Sequence, residues 1–317
     1  MAAIANTFLT SAAVGDREDL TNAIYNIAPF DTPFISAIGR VQCEAVTHEW
    51  QTDTLAAAAA NAFPEGDDVT AFTAVVPTVR ESNVCQISRK TVIVSNTQNV
   101  VNKAGRTSET AYQVAKSSKE LKRDMEFIMT QNQTPVLTGT RALKSLEAWI
   151  RTNTSRGTGT TTGTDPGTGT TATPGDAGAS DLRTFTEAIL KDVVQQVYSS
   201  GGDPKLLMVG PVNKQRVSDF SGRASARENV SIGTIQGAAS LYASDFGDIT
   251  VIPNRFSRER SAIIIDPEYA ATGFLREFDL VELAKTGDAE KRMLTVEYTL
   301  EMRNQAAMGI AADLITS

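Results

Sequence analysis

The sequence predicts an α+β protein in which three long elements extend from a compact mixed portion. The first is a helix at residues 108–131, and the second is an alternating strand at residues 293–303. The third is a two-stranded hairpin between residues 46 and 94 that carries an oversized tip. Each element is longer than its average counterpart in a globular domain.

The composition is that of an ordinary folded protein with an acidic balance of charge. The chain has 317 residues, of which 41% are hydrophobic and 21% charged, so it is long enough for two domains or one elaborate domain. Its net charge of −7 argues against a protein that reads nucleic-acid sequence, because such proteins carry a basic surface. A protein that encloses nucleic acid is compatible with a negative net charge. A basic inner surface would bind the phosphates tightly and immobilise the enclosed nucleic acid.

The long helix and the long strand have clear local signals. Thr107 or Ser108 can cap the helix, and no glycine or proline interrupts it. Apolar residues recur on one face of the helix, the outer face is charged, and its 24 residues span about 36 Å. The strand alternates apolar and polar residues over a similar length. Both elements are long for a protein of this size.

The hairpin cannot be stable alone. Its predicted arms are residues 46–52 and 84–94, which leaves about thirty residues, 54–83, at the tip. Ordering this tip costs roughly 30–60 kcal/mol, which corresponds to burial of about 1,200–2,400 Å² of apolar surface. The five consecutive alanines at 56–60 supply little of that surface. The tip is therefore either flexible or packed against another molecule.

The rest of the chain predicts shorter elements and one low-complexity segment. Residues 152–180 contain eleven threonines and seven glycines and no large apolar residue, which indicates a surface loop or a disordered insert. The other predicted elements are a helix capped by Asp16, short helices at 34–39 and 142–151, a helix opened by a Thr184/Glu187 capping box, strands at 206–209 and 262–265, a helix starting at Pro211, and a hairpin of 241–243 with 249–252.

Two cysteines cannot provide a disulfide framework. If the hairpin folds back around residue 68, Cys43 lies opposite residue 93 and Cys85 opposite residue 51, so we expect free thiols and no intrachain bond. A disulfide between two chains remains an alternative.

The sequence carries no signal for secretion or membrane insertion. No basic residue precedes Arg17 and no apolar run could span a bilayer, which predicts a soluble protein made inside the cell.

The residue types that carry chemistry are scarce. His48 is the only histidine, and its place on an alternating strand beside Trp50 favours a structural role over a catalytic one. Asp67 and Asp68 with Glu65 could hold a hard cation, although a solvated acidic turn is the favoured interpretation. One histidine and two distant cysteines offer no transition-metal site. We therefore predict no catalytic, cofactor-binding or metal-binding residue, and no enzymatic activity.

A set of motifs in a defined order resembles the SU10-type major capsid proteins of tailed bacteriophages. They are REDL (17–20), YNIAPFDTPF (25–34), HEWQTD (48–53), EGDD (65–68), QISRKT (86–91), NKAGR (102–106), ELKRDME (120–126), LEAWI (146–150), MVGP (208–211), SDFG (244–247), PNR (253–255), DPE (266–268), LAKTGD (283–288) and VEYTLE (296–301). The resemblance covers about residues 16–151 and 181–314, so only the threonine- and glycine-rich insert departs from the family pattern.

The resemblance implies the HK97-like capsid fold and assigns segments of the chain to its parts. Residues 1–45 would form the N-terminal arm and 46–95 the E-loop hairpin. The peripheral domain would take 96–182, with its spine helix and the insert at 152–180, the axial domain 183–283, and the return strand and C-terminus 284–317.

One chemical question follows from the resemblance. Some shells of this fold join their subunits through a lysine–asparagine isopeptide bond, with the lysine on the E-loop. No lysine lies between Asp53 and Ser88, so we expect non-covalent assembly. Candidates for salt bridges between subunits, with lysines of a neighbour's spine helix, are Arg80 and the carboxylates Glu65, Asp67, Asp68 and Glu81. Exposed pairs contribute about 0–1 kcal/mol each, so apolar burial should dominate.

The implied function is that of a major capsid protein, whose copies assemble as hexamers and pentamers into an icosahedral head around double-stranded DNA. Portal, scaffolding and cement proteins would be further partners, without a cofactor, a membrane or sequence-specific DNA binding. The protein would be located in the virion after assembly in the bacterial host cytoplasm. The alternatives are an encapsulin-like cellular nanocompartment shell and, from another class, a surface adhesin with a threonine-rich linker. A hydrolase would have to depend on His48.

Overall fold

The computed structural model describes residues 31–68, 72, 74–101, 108–157, 182–220 and 240–316. The predicted helix capped by Asp16 and most of the threonine- and glycine-rich insert lie outside these residues and remain predictions. Helices within them are α1 (Pro33–Ala37), α2 (Asn96–Val100), α3 (Glu109–Thr130), α4 (Leu146–Trp149), α5 (Glu187–Ser199) and α6 (Pro211–Ser218).

The strands of the described ranges form three sheets. They are β1 (Gly39–Gln42), β2 (Thr47–Thr52), β3 (Val79–Val84), β4 (Gln86–Ser95), β5 (Asn153–Ser155), β6 (Leu206–Val209), β7 (Leu241–Ser244), β8 (Gly247–Pro253), β9 (Ala262–Ile265), β10 (Ala270–Glu282), β11 (Ala289–Met302) and β12 (Gly309–Ala311).

The first sheet has four strands in the order β1-β10-β11-β4, with α3 packed against β4 and β11. Strands β10 and β11 are antiparallel neighbours, and their register is interrupted between Phe274 and Asp279. Strand β4 pairs antiparallel with β11 along its whole length, and β1 joins the other edge parallel to β10. The long helix and the long strand predicted from the sequence therefore lie in one helix-on-sheet layer.

The second sheet has six strands in the order β5-β12-β9-β6-β8-β7. Its central strand β9 is buried along all four residues, as expected for a strand with neighbours on both sides. Helix α5 packs on β5 and β12 through the buried face of Leu190, Val193, Val194 and Val197, whose spacing is that of one helical stripe. One face of this sheet packs with α5 in a hydrophobic core of its own, and the other face contributes Met208, Ile263 and Ile310 to the core beneath α3.

A buried carboxylate connects three parts of the chain. Glu126 on α3 accepts hydrogen bonds from the backbone N–H groups of Phe34 (2.8 Å) and Ile35 (3.0 Å) at the start of α1. It also accepts one from the side-chain amide of Asn254 (2.6 Å), which follows β8. Burial raises the pKa of Glu126 because the charged form loses water, although these three hydrogen bonds oppose the shift. Glu126 therefore ties the N-terminal segment and the second sheet to the long helix.

Several predicted elements are confirmed. Helix α3 begins at Glu109 and ends at Thr130, and the hydroxyl of Ser108 caps it by accepting from the N–H of Ala111. The short helix near 34–39, the strands at 206–209 and 262–265, the helix from Pro211 and the hairpin of β7 with β8 all form where predicted.

Other predictions of local structure are wrong. Helix α5 is capped by Thr186, whose hydroxyl accepts from the N–H of Ile189, so the predicted Thr184 cap lies two residues too early. The helix predicted at 142–151 is only the four residues of α4. Strand β10 was not predicted, although its thirteen residues pair with β11 and shape the first sheet.

The hairpin has a different pairing from the predicted one. Strand β2 pairs with β3, with Thr47 opposite Val84 and Thr52 opposite Val79, and residues 86–95 form β4 in another sheet. Residues 86–95 lie along β11 for their whole length, and no local signal in the sequence marks this partner, which is distant in the chain. The predicted second arm was therefore wrong, and the tip comprises residues 53–78.

Candidate assembly surface

The hairpin root, formed by β2 and β3, is anchored to the body by a buried amide. The side chain of Asn83 is 1% exposed, and its N–H groups donate to the carbonyl oxygens of Lys144 (3.0 Å) and Leu300 (2.7 Å). Its oxygen accepts from the backbone N–H groups of Lys144 and Val84, both at 2.8 Å. All four hydrogen-bonding positions of the amide are thus used, which sets the position of β3 relative to β11.

The other strand of the root is held by two ring side chains. The indole N–H of Trp50 donates to the carbonyl oxygen of Met302 (3.0 Å), and its ring lies 5.5 Å from that of Trp149. The imidazole Nε2 of His48 lies 2.8 Å from a carboxylate oxygen of Glu301. His48 therefore has the structural role that its sequence context favoured.

The polar face of β11 is covered by the root and by neighbouring arginines. Glu297 is paired with Arg141 (2.5 Å) and Arg276 (2.8 Å), so its buried charge is compensated. Burial would raise the pKa of Glu301, but hydrogen bonds from Arg303 and His48 outweigh it and hold the pKa below its usual value. The alternation seen in the sequence thus corresponds to one apolar core face and one face of buried ion pairs.

A buried lysine lies beneath the root. Lys144 is 0% exposed, and its ammonium group lies 4.2 Å from the centre of the Trp149 ring, with no hydrogen-bond partner. Burial, with a smaller effect from the charge of Arg151, lowers the pKa of Lys144 to about 8, while Glu81 acts in the opposite direction. Lys144 is therefore a buried cation whose charged form the fold disfavours.

The described residues of the tip contrast with the root because none of them is in a paired strand and all are exposed. Large apolar side chains are exposed along it: Leu55, Phe63, Phe72, Val75 and Val76, each between 74% and 99% exposed. A turn at 64–67 is closed by the N–H of Asp67 on the carbonyl of Pro64 (3.3 Å) and uses Gly66 at φ +82°. An apolar surface of this kind on a projecting loop is typical of an interaction surface.

The residues predicted to form salt bridges between subunits do not share one environment. Arg80 pairs within the chain with Glu49 at 3.4 Å, and both side chains are exposed. Glu65, Asp67 and Asp68 are exposed at the turn of the tip, in agreement with a solvated acidic turn. Glu81 belongs to the root, opposite Trp50, and one of its oxygens is buried. The turn carboxylates and the exposed Arg80 are therefore accessible to another molecule, whereas Glu81 is partly buried.

The two cysteines lie much closer together than the predicted register allowed. Because Thr47 pairs with Val84, the N–H of Cys85 donates to the carbonyl of Val46 (2.7 Å), five residues from the position that the prediction gave. Both cysteines are buried free thiols, and the Cys85 thiol lies 3.5 Å from the carbonyl oxygen of Ala45, two residues after Cys43. The fold-back argument that separated them was wrong, since it assumed that the arms pair around residue 68.

Metal-ligating side chains do not cluster in the ranges that the structure describes, and the helices there are short or polar. No group of three or more His, Cys, Asp or Glu side chains in those ranges could hold a metal ion, so Glu65, Asp67 and Asp68 form no such group there. Among the helices of the same ranges, none is long and apolar enough to cross a membrane.

Comparisons with known proteins agree with this geometry. A curated relative, the major capsid protein of Escherichia phage Phieco32, is 29% identical over 336 aligned positions and covers 93% of this chain and 94% of its own. A solved structure from Mycobacterium phage Adephagia matches with a TM-score of 0.62 and 13% identity over the full length of both chains. The capsid of a native GTA particle matches with a TM-score of 0.62 and 10% identity over 96% of this chain and 98% of its own.

The two helix-and-sheet layers, the long α3 and the projecting hairpin define a capsid subunit with the HK97-like fold. The chain belongs to the SU10 major capsid protein family, whose model matches residues 3–315. It is a major capsid protein of a tailed phage, a structural protein of the virion that assembles with copies of itself. This membership decides against the adhesin and nanocompartment alternatives.

Proposed function

We propose that copies of this chain form the hexamers and pentamers of an icosahedral head that encloses double-stranded DNA, with each hairpin tip lying on a neighbouring copy. The observation that carries the proposal is the exposed apolar tip on an anchored root. A tip without internal pairing needs an external surface, because its own residues bury almost nothing. A second copy of the chain is the partner that a homopolymeric shell supplies.

Apolar contact is the main attractive term in this proposal. Burying one Val, Leu or Phe side chain contributes about 1.5–3 kcal/mol, whereas an exposed ion pair contributes about 0–1 kcal/mol. The described residues of the tip include five such exposed side chains between Leu55 and Val76, and the turn carboxylates contribute to the specificity of the contact more than to its free energy.

The proposed contact is non-covalent. No lysine is present between Asp53 and Ser88, so the tip carries no amine that could form an isopeptide bond with a neighbour. Particles boiled in detergent with a reductant should therefore give a single band near 33.9 kDa. A ladder of multiples of that mass would contradict this part of the proposal.

Several finer assignments belong to the same proposal. The arm would be residues 1–45, the E-loop 46–95, the peripheral domain 96–182 with 284–317, and the axial domain 183–283. Strand β10 at 270–282 lies in the sheet of α3, and β12 at 309–311 lies in the other sheet, so the sheets exchange strands across these boundaries. Portal, scaffolding and cement proteins would be the other partners, and assembly would take place in the host cytoplasm.

The apolar tip can be tested with one double variant and a control from the same loop. Phe63→Ser with Val75→Ser removes two exposed side chains and leaves the root unchanged. We expect the variant to fold with an unchanged thermal midpoint and to lose at least about tenfold in particle yield, measured by sedimentation. Ala58→Ser is the control, because it removes little apolar area from the same exposed segment.

Two results would count against the proposal. Particle yield equal to that of the unmodified chain would show that the tip does not supply the contact. Particles without nuclease-protected double-stranded DNA after infection would contradict the assignment of the contents.

A further inference from the structure

The only two cysteines of the chain meet where the chain enters and leaves the hairpin. Cys43 follows β1, and its N–H donates to the carbonyl of Phe274 on β10 (2.8 Å). Cys85 is the single residue between β3 and β4, and its thiol points to the carbonyl oxygen of Ala45 (3.5 Å). The Cys85 sulfur is thus directed at the segment that begins with Cys43.

One threonine of the first sheet lies near both cysteine segments. A Cβ atom on Gly273 would lie 2.5 Å from the sulfur of Cys43 and 3.0 Å from a methyl carbon of Thr299, the strand partner of Gly273. The hydroxyl of that same Thr299 donates to the carbonyl of Val84, the residue before Cys85 (3.0 Å). The absence of a side chain at Gly273 therefore makes room for the Cys43 sulfur, and Thr299 holds the segment that carries Cys85 close to it.

We propose that Cys43 and Cys85 form an intrachain disulfide that closes the base of the hairpin when the chain is in oxidising surroundings. The loop that it closes contains the whole root and tip, and the cross-link would tie them to β10 and β11. A reducing glutathione pool keeps such a pair as thiols, and an oxidising medium closes it. The proposal depends on the fold of one chain and does not depend on contact with a neighbour.

The bond can form by ordinary thiol–disulfide exchange with a small-molecule disulfide such as oxidised glutathione. The neighbouring Cys43 thiol lowers the pKa of Cys85, although burial opposes this, which favours Cys85 as the attacking group. Both thiols are buried in the folded chain, so the exchange takes place during local opening of the hairpin base or before the chain has folded. The Cys85 thiolate attacks the glutathione disulfide and releases one glutathione thiolate. The Cys43 thiol then loses its proton and displaces the second glutathione, so the protein loses two electrons and two protons and glutathione gains them.

The test measures the effective concentration of the two thiols in glutathione redox buffers at equilibrium. The full-length protein is equilibrated from the reduced and the oxidised side, free thiols are trapped, and the Cys43–Cys85 peptide is quantified by mass spectrometry. The same chain in 8 M urea is the reference, where a flexible loop gives an effective concentration on the order of millimolar. We expect the native value to exceed the urea value at least about tenfold.

A matched control moves one thiol by a single residue. In the double variant Cys43→Ala with Glu44→Cys, the loop length is nearly the same, but the new thiol replaces a solvent-exposed side chain. Its native effective concentration should fall to the urea value or below it. The oxidised unmodified chain should also gain about 5–10 °C in its thermal midpoint over the reduced chain, and the control should gain less.

Three outcomes would overturn the proposal. The first is a native effective concentration at or below that in urea, which would mean that the fold holds the sulfurs in a geometry that cannot be bridged. The second is oxidation that gives only disulfides between chains. The third is a control variant that closes as readily as the unmodified chain.

Discussion

The root and the tip of the same hairpin are held by opposite means. The side chains of Asn83 and Trp50 in the root are buried or half-buried, and their N–H groups are satisfied inside the chain. The described residues of the tip place large apolar groups in solvent, and none of them belongs to a paired strand. The root is therefore stabilised within one chain, whereas the tip needs contact with another molecule to bury its apolar side chains. Substitutions in the root should change folding, and substitutions in the tip should change assembly.

Loss of the Asn83 amide should have the largest effect and would test whether the root is held within one chain. Asn83→Ala leaves the carbonyl groups of Lys144 and Leu300 and two backbone N–H groups without partners in a buried place. We expect a loss of about 3 kcal/mol in the free energy of unfolding, measured by urea denaturation of the unassembled chain. The control is Thr78→Ala, whose exposed hydroxyl makes one 3.3 Å bond to Gln51 and should change stability by less than about 0.5 kcal/mol.

If both variants are equally stable, the root is not anchored by this amide, and the contrast between root and tip loses its main support.

Replacing the buried lysine should have an intermediate effect of opposite sign. The folded pKa of Lys144, about 8, lies below its value in the unfolded chain, so the unfolded chain binds more protons between about pH 8 and 10.5. Its contribution to stability is therefore unfavourable below pH 8 and recovers as the pH rises. Lys144→Met should raise the free energy of unfolding by about 1–3 kcal/mol at pH 7, and the difference should shrink towards pH 10.5.

A loss of stability for Lys144→Met at pH 7 would mean that the attraction to Glu81 and the Trp149 ring outweighs the cost of burying the charge. Parallel pH profiles for the two proteins would show that Lys144 does not titrate in this range.

The ion pair at the boundary between root and tip should matter least. Arg80 and Glu49 are exposed and 3.4 Å apart, so Arg80→Ala should change the free energy of unfolding by about 0–0.5 kcal/mol. Particle yield should stay within about twofold of the unmodified chain at 0.15 M salt, measured by sedimentation. If the yield falls as much as it does for the apolar double variant in the tip, charge and not apolar burial stabilises the assembly contact.

The success of the sequence predictions depended on how local their signals were. Helix α3 was predicted to within one residue at each end because its cap at Ser108 and its apolar stripe are local properties. The capping of α5 was placed two residues early, because Thr184 and Thr186 are both able to cap and only packing selects between them. The long β10 was missed because its pairing with β11 includes irregular register and its outer half is exposed.

Composition, periodicity and motif order were enough to predict the fold class, the family and the scarcity of catalytic residue types. The lack of a lysine in the hairpin tip is likewise read from the residues alone. The strand that pairs with β2, and with it the approach of Cys85 to the segment that begins at Cys43, became known from the three-dimensional arrangement. Strand pairing joins segments that are distant in the chain, as β4 and β11 are, so no local pattern in the sequence specifies it.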